Sequence, residues 1–441
     1  MNDFESNVSL PQIEKIRVYN TRWLVLAIFV AFSASNGMQW IQFSIITDAV
    51  VGYYKGVSNT LVDWTSMVYM VLYVPFIFPG SYLLEKLGLR KSVLIGIAGT
   101  CLGSWVKLGS VHEDRFWVAF VGQTVVALSQ IFVLSVPSRL AAVWFGPSQV
   151  SSACSIGVFG NQLGIAVGFL LPPIFVTANS SHEENTMQFY TLYGFNAAVT
   201  TVILILVILF FKNNPPTPPS HAVAQQEATE TSVDFVTSLK NLATNRSYVL
   251  LLCAYGINTG VFYAISTLLN QIILHYYPAA SEDAGRIGLA IVVAGMIGSV
   301  CCGIVLDKYH RFKETTLIVY AFSLIGMVVF TFTLSKGIYV VYVTSFVLGF
   351  FMTGLLPVGF ELANELTYPE PEGTSAGLLN ASANLFGIVF TNIYSVIFYR
   401  VSDVWANTAM SITLVLGTIL LAFTSSDLRR QVAHSEKKGV N

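Results

Sequence analysis

Apolar residues gather along this chain into long runs divided by short polar stretches. The runs lie near Trp23 to Val50, Leu61 to Leu84, Ser92 to Leu108, Phe116 to Val136, Ser152 to Thr177 and Phe189 to Phe211, and then near Tyr248 to Ile273, Ile287 to Leu306, Thr315 to Leu334, Ile338 to Glu361, Thr374 to Phe398 and Val404 to Thr424. A helix of roughly 20 apolar residues crosses a bilayer, and a helix satisfies its own backbone there. The pattern therefore predicts an all-α membrane protein with twelve transmembrane helices. Between the sixth and seventh runs stands KNNPPTPPSHAVAQQEATETS, Lys212 to Ser232, whose prolines and small polar residues cannot build a packed core. It divides the spans into two sets of six. The expected domains are an N-terminal tail (1–22), a six-helix bundle (23–211), a linker (212–246), a second bundle (247–424) and a C-terminal tail (425–441).

Composition agrees with lipid as the solvent. The chain is 54% hydrophobic and 11% charged, against roughly 25% charged in a soluble domain. Little length remains for a soluble catalytic module, and no nucleophile, metal cluster or acid–base pair stands at recognisable spacing. The reading is a non-enzyme with no cofactor and no metal. A net charge of −1 gives no reason for a nucleic-acid partner, so the expected partners are a small-molecule substrate and the bilayer, with the chain a monomer. The five cysteines all lie in apolar runs and form no disulfide or zinc pattern. The polar, partly acidic start does not read as a cleavable signal peptide.

Lysine and arginine set orientation. Placing both termini in the cytoplasm puts 17 of the 23 basic residues on the inner side, among them Lys86, Arg90, Arg139 and Lys308, while Lys107 is counted among the six that face out. This orientation leaves the sequon Asn179-Ser180-Ser181 outside as a glycosylation candidate.

The middles of the runs contain almost no ionisable residues. Asp63, Lys107, Glu361 and Glu365 fall at or near the ends, and the six histidines lie in connections or tails. Proton coupling usually needs a titrating group at mid-depth, so the sequence favours facilitated diffusion. What the runs do contain is amides and aromatics at helical spacing: Asn36, Trp40, Phe43 and Thr47 in the first, with Gln39 and Gln42 beside them, and Thr259, Tyr263, Ser266 and Asn270 in the seventh, with Phe262 adjoining. Asn380, Asn384, Gly387, Thr391 and Tyr394 share a broad face of the eleventh, and Gln123, Gln130, Asn161 and Gln162 stand in the fourth and fifth. Singly, such amides serve equally well as ties between helices; jointly, the stripes are expected to line a polar cavity. Gly160, Gly164 and Gly168 read as close helix packing. An aromatic cavity without fixed charge suits a quaternary ammonium, which offers no N–H donor but is drawn to a ring face. Trp40, Tyr263 and Phe262 are the candidate cage, and Gln162 the partner for a hydroxyl at the ligand's other end.

Two loops echo one another. Glu85-Lys86-Leu87-Gly88-Leu89-Arg90-Lys91 follows the second run, and Gly303-Ile304-Val305-Leu306-Asp307-Lys308 follows the eighth. Both resemble the signature loop of the major facilitator superfamily, in which the acid caps a neighbouring helix end and the pair latches the inward-closed state. Asn36-Gly37-Met38-Gln39-Trp40-Ile41-Gln42, Pro137-Ser138-Arg139-Leu140-Ala141-Ala142-Val143-Trp144-Phe145-Gly146, Val158-Phe159-Gly160-Asn161-Gln162-Leu163-Gly164 and Phe262-Tyr263-Ala264-Ile265-Ser266-Thr267-Leu268-Leu269-Asn270-Gln271 are closer still. From about Val18 to Arg430 the chain resembles the feline leukaemia virus subgroup C receptor family of transporters.

That resemblance implies a major facilitator fold and transport of choline, and also of ethanolamine, with haem export a proposed alternative and a non-transporting receptor a further one. It also implies a cation held against Trp40 and Tyr263 with Gln162 at the ligand's polar end. The family places a Gln in the eleventh span where Tyr394 stands here, so Tyr394 and Asn384 are the candidate wall on that side. Arg139 and Glu365 are candidate gate charges beside Glu85, Lys86, Arg90, Asp307 and Lys308. The expected residence is the plasma membrane, with the endoplasmic reticulum and mitochondrion as alternatives.

Overall fold

The computed structural model describes residues 16–146, 149–219, 235–429 and 432, and no strand occurs among them. The first half comprises α1 (Thr21–Trp40), α2 (Thr47–Tyr53), α3 (Asn59–Leu87), α4 (Leu89–Leu108), α5 (Phe116–Trp144), α6 (Val150–Phe175) and α7 (His182–Phe210). A short helix, α8 (Phe235–Thr244), precedes the second half. That half comprises α9 (Arg246–Tyr276), α10 (Ser281–Tyr309), α11 (Phe312–Thr333), α12 (Ile338–Met352), α13 (Leu355–Thr367), α14 (Glu372–Arg400) and α15 (Asp403–Ala422).

Local chemistry sets where these helices begin and end. Ser58, Asn245 and Ser402 each accept a hydrogen bond from the backbone N–H three residues on, and Ser181 does so within a full capping box closed by Glu184. Gly88 alone joins α3 to α4 at φ 83°, a backbone region that side chains with a Cβ seldom adopt.

Eleven helical segments among the described residues are long and apolar enough to cross a membrane. The one span missing from these is the third, α4, whose 20 residues include Arg90, Lys91 and Lys107. Two runs that look continuous in sequence are broken helices. The first span passes from α1 through a 3-10 turn at Ser44–Ile46 into α2, and the tenth passes from α12 into α13 across Thr353 and Gly354. Outward-facing side chains such as Leu102, Val202, Ile304 and Ile412 are more than half exposed, as lipid contact requires.

The two halves repeat one packing plan. The first span packs on the fifth (α1 on α6) and the seventh on the eleventh (α9 on α14); the second packs on the fourth (α3 on α5) and the eighth on the tenth (α10 on α12). Between halves, the fifth meets the eighth (α6 on α10) and the second meets the eleventh (α3 on α14). Adding six to each span number turns one set of contacts into the other, the signature of a repeated bundle. The end of the molecule at which α1 begins, α15 ends and α8 lies is the terminal face, and the opposite end the distal face.

Candidate functional site

The break in the first span begins at Trp40. Leaving the helix frees carbonyls that lipid cannot satisfy, and the side chain of Gln123, reaching in from α5, takes them up. Its Nε2 donates to the carbonyls of Gln39 at 2.9 Å, Thr65 at 3.1 Å and Trp40 at 3.4 Å. From the other half, Asn270 Nδ2 donates to the Ile45 carbonyl at 3.0 Å and to Asp48 Oδ1 at 3.1 Å. Trp40 is thereby held at the seam between the halves. Its ring meets that of Tyr263 edge to face, with centroids 5.4 Å apart at 68°. Phe262 lies beside Tyr263 at 5.9 Å. A Cβ on Gly387 of α14 would stand 2.8 Å from Tyr263 Cδ2 and 2.9 Å from Met70 Sδ, so the absence of a side chain there makes room for the tyrosine.

Most amides of the stripes are ties. Asn36 Nδ2 donates to Thr100 Oγ1 and to the Val126 carbonyl, both at 3.1 Å. Gln42 binds Asn196, and Asn258 donates to the Met352 carbonyl at 3.0 Å, where the tenth span breaks. Periodicity identifies a helix face but not the neighbour that face meets, and these three amides meet other helices. Gln162 Oε1 is buried with no hydrogen-bond partner among the described residues, as are Gln130 Oε1 and one amide atom each of Asn36, Gln42, Gln123 and Asn258. Asn384 is buried and donates to Asn380 of its own helix at 2.7 Å. Tyr394 is fully buried, and its hydroxyl donates to Asn407 Oδ1 of α15 at 2.7 Å. That bond turns the hydroxyl toward the twelfth span.

Lys107, counted at the sequence level as facing out, is fully buried. Its Nζ donates to Gln39 Oε1 at 3.0 Å and lies 5.4 Å from the centre of the Phe43 ring. The position near the end of α4 suggested a rim residue, but α1 and its break close over it. Asp63 is equally enclosed, 1% exposed, and accepts from Gln271 Nε2 at 2.6 Å. The span ends are thus richer in enclosed ionisable groups than the sequence suggested. Asp48, which the sequence reading passed over at the end of the first run, lies half-buried between the halves.

At the terminal face, Arg90 caps the end of α7: Nε donates to the Phe211 carbonyl and a terminal nitrogen to the Ile208 carbonyl, both at 2.8 Å. In this loop the base meets the helix end, where a cation suits the dipole, while Glu85 is exposed. Lys86 and Lys308 lie over the rings of Tyr82 and Tyr309 at 5.6 and 5.3 Å. The Asp307 side chain lies outside the described residues. Arg139 is half-buried near the end of α5, and Glu365 is buried in the last turn of α13. Asn179 is exposed in the connection between α6 and α7.

The family model of the Major Facilitator Superfamily matches residues 24–392. An uncharacterised MFS-type transporter of Caenorhabditis elegans is 53% identical over 96% of this chain and 72% of its own. The zebrafish (Danio rerio) choline/ethanolamine transporter flvcr2a is 47% identical over 99% of this chain and 93% of its own, and human (Homo sapiens) FLVCR2, also named a choline/ethanolamine transporter, is 48% identical over 96% and 80%. The chain belongs to the FLVCR family of the major facilitator superfamily. Among solved structures, an inward-facing, unoccupied bacterial homologue of the human lysosomal transporter Spinster superposes with a TM-score of 0.72 at 10% identity, over 94% of this chain and 99% of its own. At that identity the likeness establishes the fold alone. This FLVCR-family chain is thus a multi-pass membrane transporter rather than an enzyme.

Proposed function

We propose that this transporter carries choline, and ethanolamine, as a facilitative uniporter that alternates access between the two membrane faces. The observation that carries the reading is the edge-to-face pair of Trp40 and Tyr263 across the seam of the halves. Two rings at that angle make a corner in which a trimethylammonium group touches both, and a desolvated cation gains about 2 kcal/mol against an aromatic face. Phe262 extends the aromatic wall. The unpartnered Gln162 Oε1 is an acceptor for the alcohol of choline or the ammonium protons of ethanolamine. Relatives at 47–48% identity that are named choline/ethanolamine transporters support the same substrates. Asn384 and Tyr394 form the eleventh-span wall; with its hydroxyl committed to Asn407, Tyr394 offers the ligand its ring rather than a hydrogen bond.

In this reading both termini face the cytoplasm, the distal face with Asn179 and its glycan faces outward at the plasma membrane, and a monomer suffices. The division at residues 212–246 separates two bundles that rock about the bound cation. Arg90 latches the end of α7 at the cytoplasmic side, and Arg139 and Glu365 gate that side.

Uptake of labelled choline in cells expressing the wild type, Trp40→Phe, Trp40→Ala and Gln162→Ala tests the reading. Trp40→Ala should raise KM by about thirtyfold, the equivalent of 2 kcal/mol, with Trp40→Phe in between. Wild-type uptake no greater than background would overturn the substrate, and uptake indifferent to Trp40→Ala would overturn the site.

A further inference from the structure

An opening lies between the halves at the distal face, with a volume of ≈ 320 Å³. Asp48 of α2, Asn59 of α3, Asn270 and His275 of α9, and Phe398 and Tyr399 of α14 form most of its wall. Four elements from both halves meet there. Asp48 is the one carboxylate lining it, half-buried, with Oδ1 accepting from Asn270. Carboxyl groups and one imidazole, that of His275, surround it. Asp63, one turn beyond Asn59, is buried and has no partner on Oδ2. Asp403 accepts from Tyr276 and lies 3.8 Å from His275. On the basic side, Lys55 is engaged with Glu113, and Arg400 follows Tyr399 in the chain without lining the opening.

A half-buried carboxylate beside two aromatic rings, with neutral amides completing the wall, attracts a small cation and repels an anion. Attraction to the ring faces adds to the Coulomb term for a cation with an apolar shell. We propose that this opening is a docking site for small organic ammonium ions, occupied before they reach Trp40 and Tyr263. Its place on the path rests on the proposed function; its charge preference does not. Asn270 and Tyr263 stand seven residues apart on α9, about 10 Å along one face, so the two sites are stacked along the seam. The docking site also touches the closure. Asn270 to Asp48 and Asn59 to Tyr399 are bonds between the halves, and an ammonium ion at Asp48 competes with Asn270 for the carboxylate.

The test uses the full chain in cells, with Val51→Cys as reporter, since Val51 lines the opening. The rate of thiol modification by a trimethylammonioethyl methanethiosulfonate is compared with that by the sulfonatoethyl analogue. Labelling of the unsubstituted chain is subtracted, and each ratio is referred to that for a free thiol in solution. The cationic reagent should be favoured by about tenfold, Asp48→Asn should remove most of that preference, and tetramethylammonium should slow the modification. Leu274→Cys, on the opposite wall, provides a second reporter should the first not reach the membrane. A ratio equal to that in solution, or one untouched by Asp48→Asn, overturns the site. A chain that labels with this preference yet takes up no choline keeps the docking site and loses the proposed substrate. Choline uptake without the preference does the reverse.

Discussion

Gln123 shows how much one neutral side chain does in a membrane interior. It serves the Gln39 and Trp40 carbonyls at the break and also the Thr65 carbonyl of the intact α3, and replacing it with leucine strands the two at the break. Each stranded buried acceptor costs about 1–3 kcal/mol, so Gln123→Leu should lower the Tm of the purified protein by far more than Gln130→Leu. A fluorescence-monitored melt of both variants checks this. Lys107 and Gln39 give an asymmetric pair of expectations. Gln39→Leu leaves the Lys107 amine buried without its acceptor, and a buried donor left unsatisfied costs about 1–3 kcal/mol. Lys107→Met removes the polar head but keeps the stem, and should cost far less. Equal losses from the two substitutions would mean that packing, not the polar bond, matters there. At this scale the sequence was partly legible. Trp40 and Tyr263 stand out because an aromatic in a polar stripe needs a reason, and the structure sets them against each other. The amides were less legible, since a tie and a binding group share one periodicity. Lys107 was misread because burial of a residue near a helix end depends on what other helices place over it.

Among the elements, α1 and α6 form the closest pairing that the sequence announced. A Cβ on Gly164 would stand 2.2 Å from the Ala34 carbonyl oxygen, and one on Gly168 would stand 2.5 Å from that of Met38. Backbone cannot swing aside as a side chain does. Gly164→Ala should therefore force the helices apart, with an overpacking cost of about 1–3 kcal/mol, and should displace the segment of α1 that ends at Trp40. The measurements are Tm and choline KM together, and a lower Tm with unchanged KM would separate packing from the site. Broken helices left no such trace. Both the first and tenth spans are uninterrupted apolar runs, and their breaks are made tolerable by Gln123 and Asn258, side chains far away in sequence. The arrangement is reciprocal: the fourth span serves the first in one half, and the seventh serves the tenth in the other.

For the whole molecule, the distal ends of the two halves are bound together. Asn59 to Tyr399 at 2.7 Å, Gln271 to Asp63 at 2.6 Å and Ser66 to Thr267 at 2.9 Å join them. Under alternating access these bonds must part in each cycle. The double variant Asn59→Cys with Tyr399→Cys should lose choline uptake on oxidation and regain it with reductant, while either single variant should not respond. Outside the spans, Lys55 and Glu113 link two distal connections. The hydrogen bond from Lys55 is the main cause that holds the Glu113 carboxyl below its ordinary value of 4.5, and the same bond raises Lys55 above 10.5. The lowered acid adds stability that is full above 4.5 and lost as pH falls through its folded value; the raised base adds stability that is full below 10.5 and lost as pH rises past it. The Tm difference between wild type and Glu113→Gln should therefore be small and constant between those limits and vanish in acid, as melts across a pH series would show.

The charges of α4 have a consequence for how the chain is made. Arg90 and Lys91 open this helix and Lys107 nearly closes it, so on its own it is a poor substrate for the insertion machinery that threads new helices into lipid. The groups that make it acceptable there, Gln39 of α1, the carbonyl end of α7 and the long face of α5, come from spans made before and after it. The third span is thus retained in the bilayer only once its neighbours arrive, which ties the topology of the first half to its assembly as a unit.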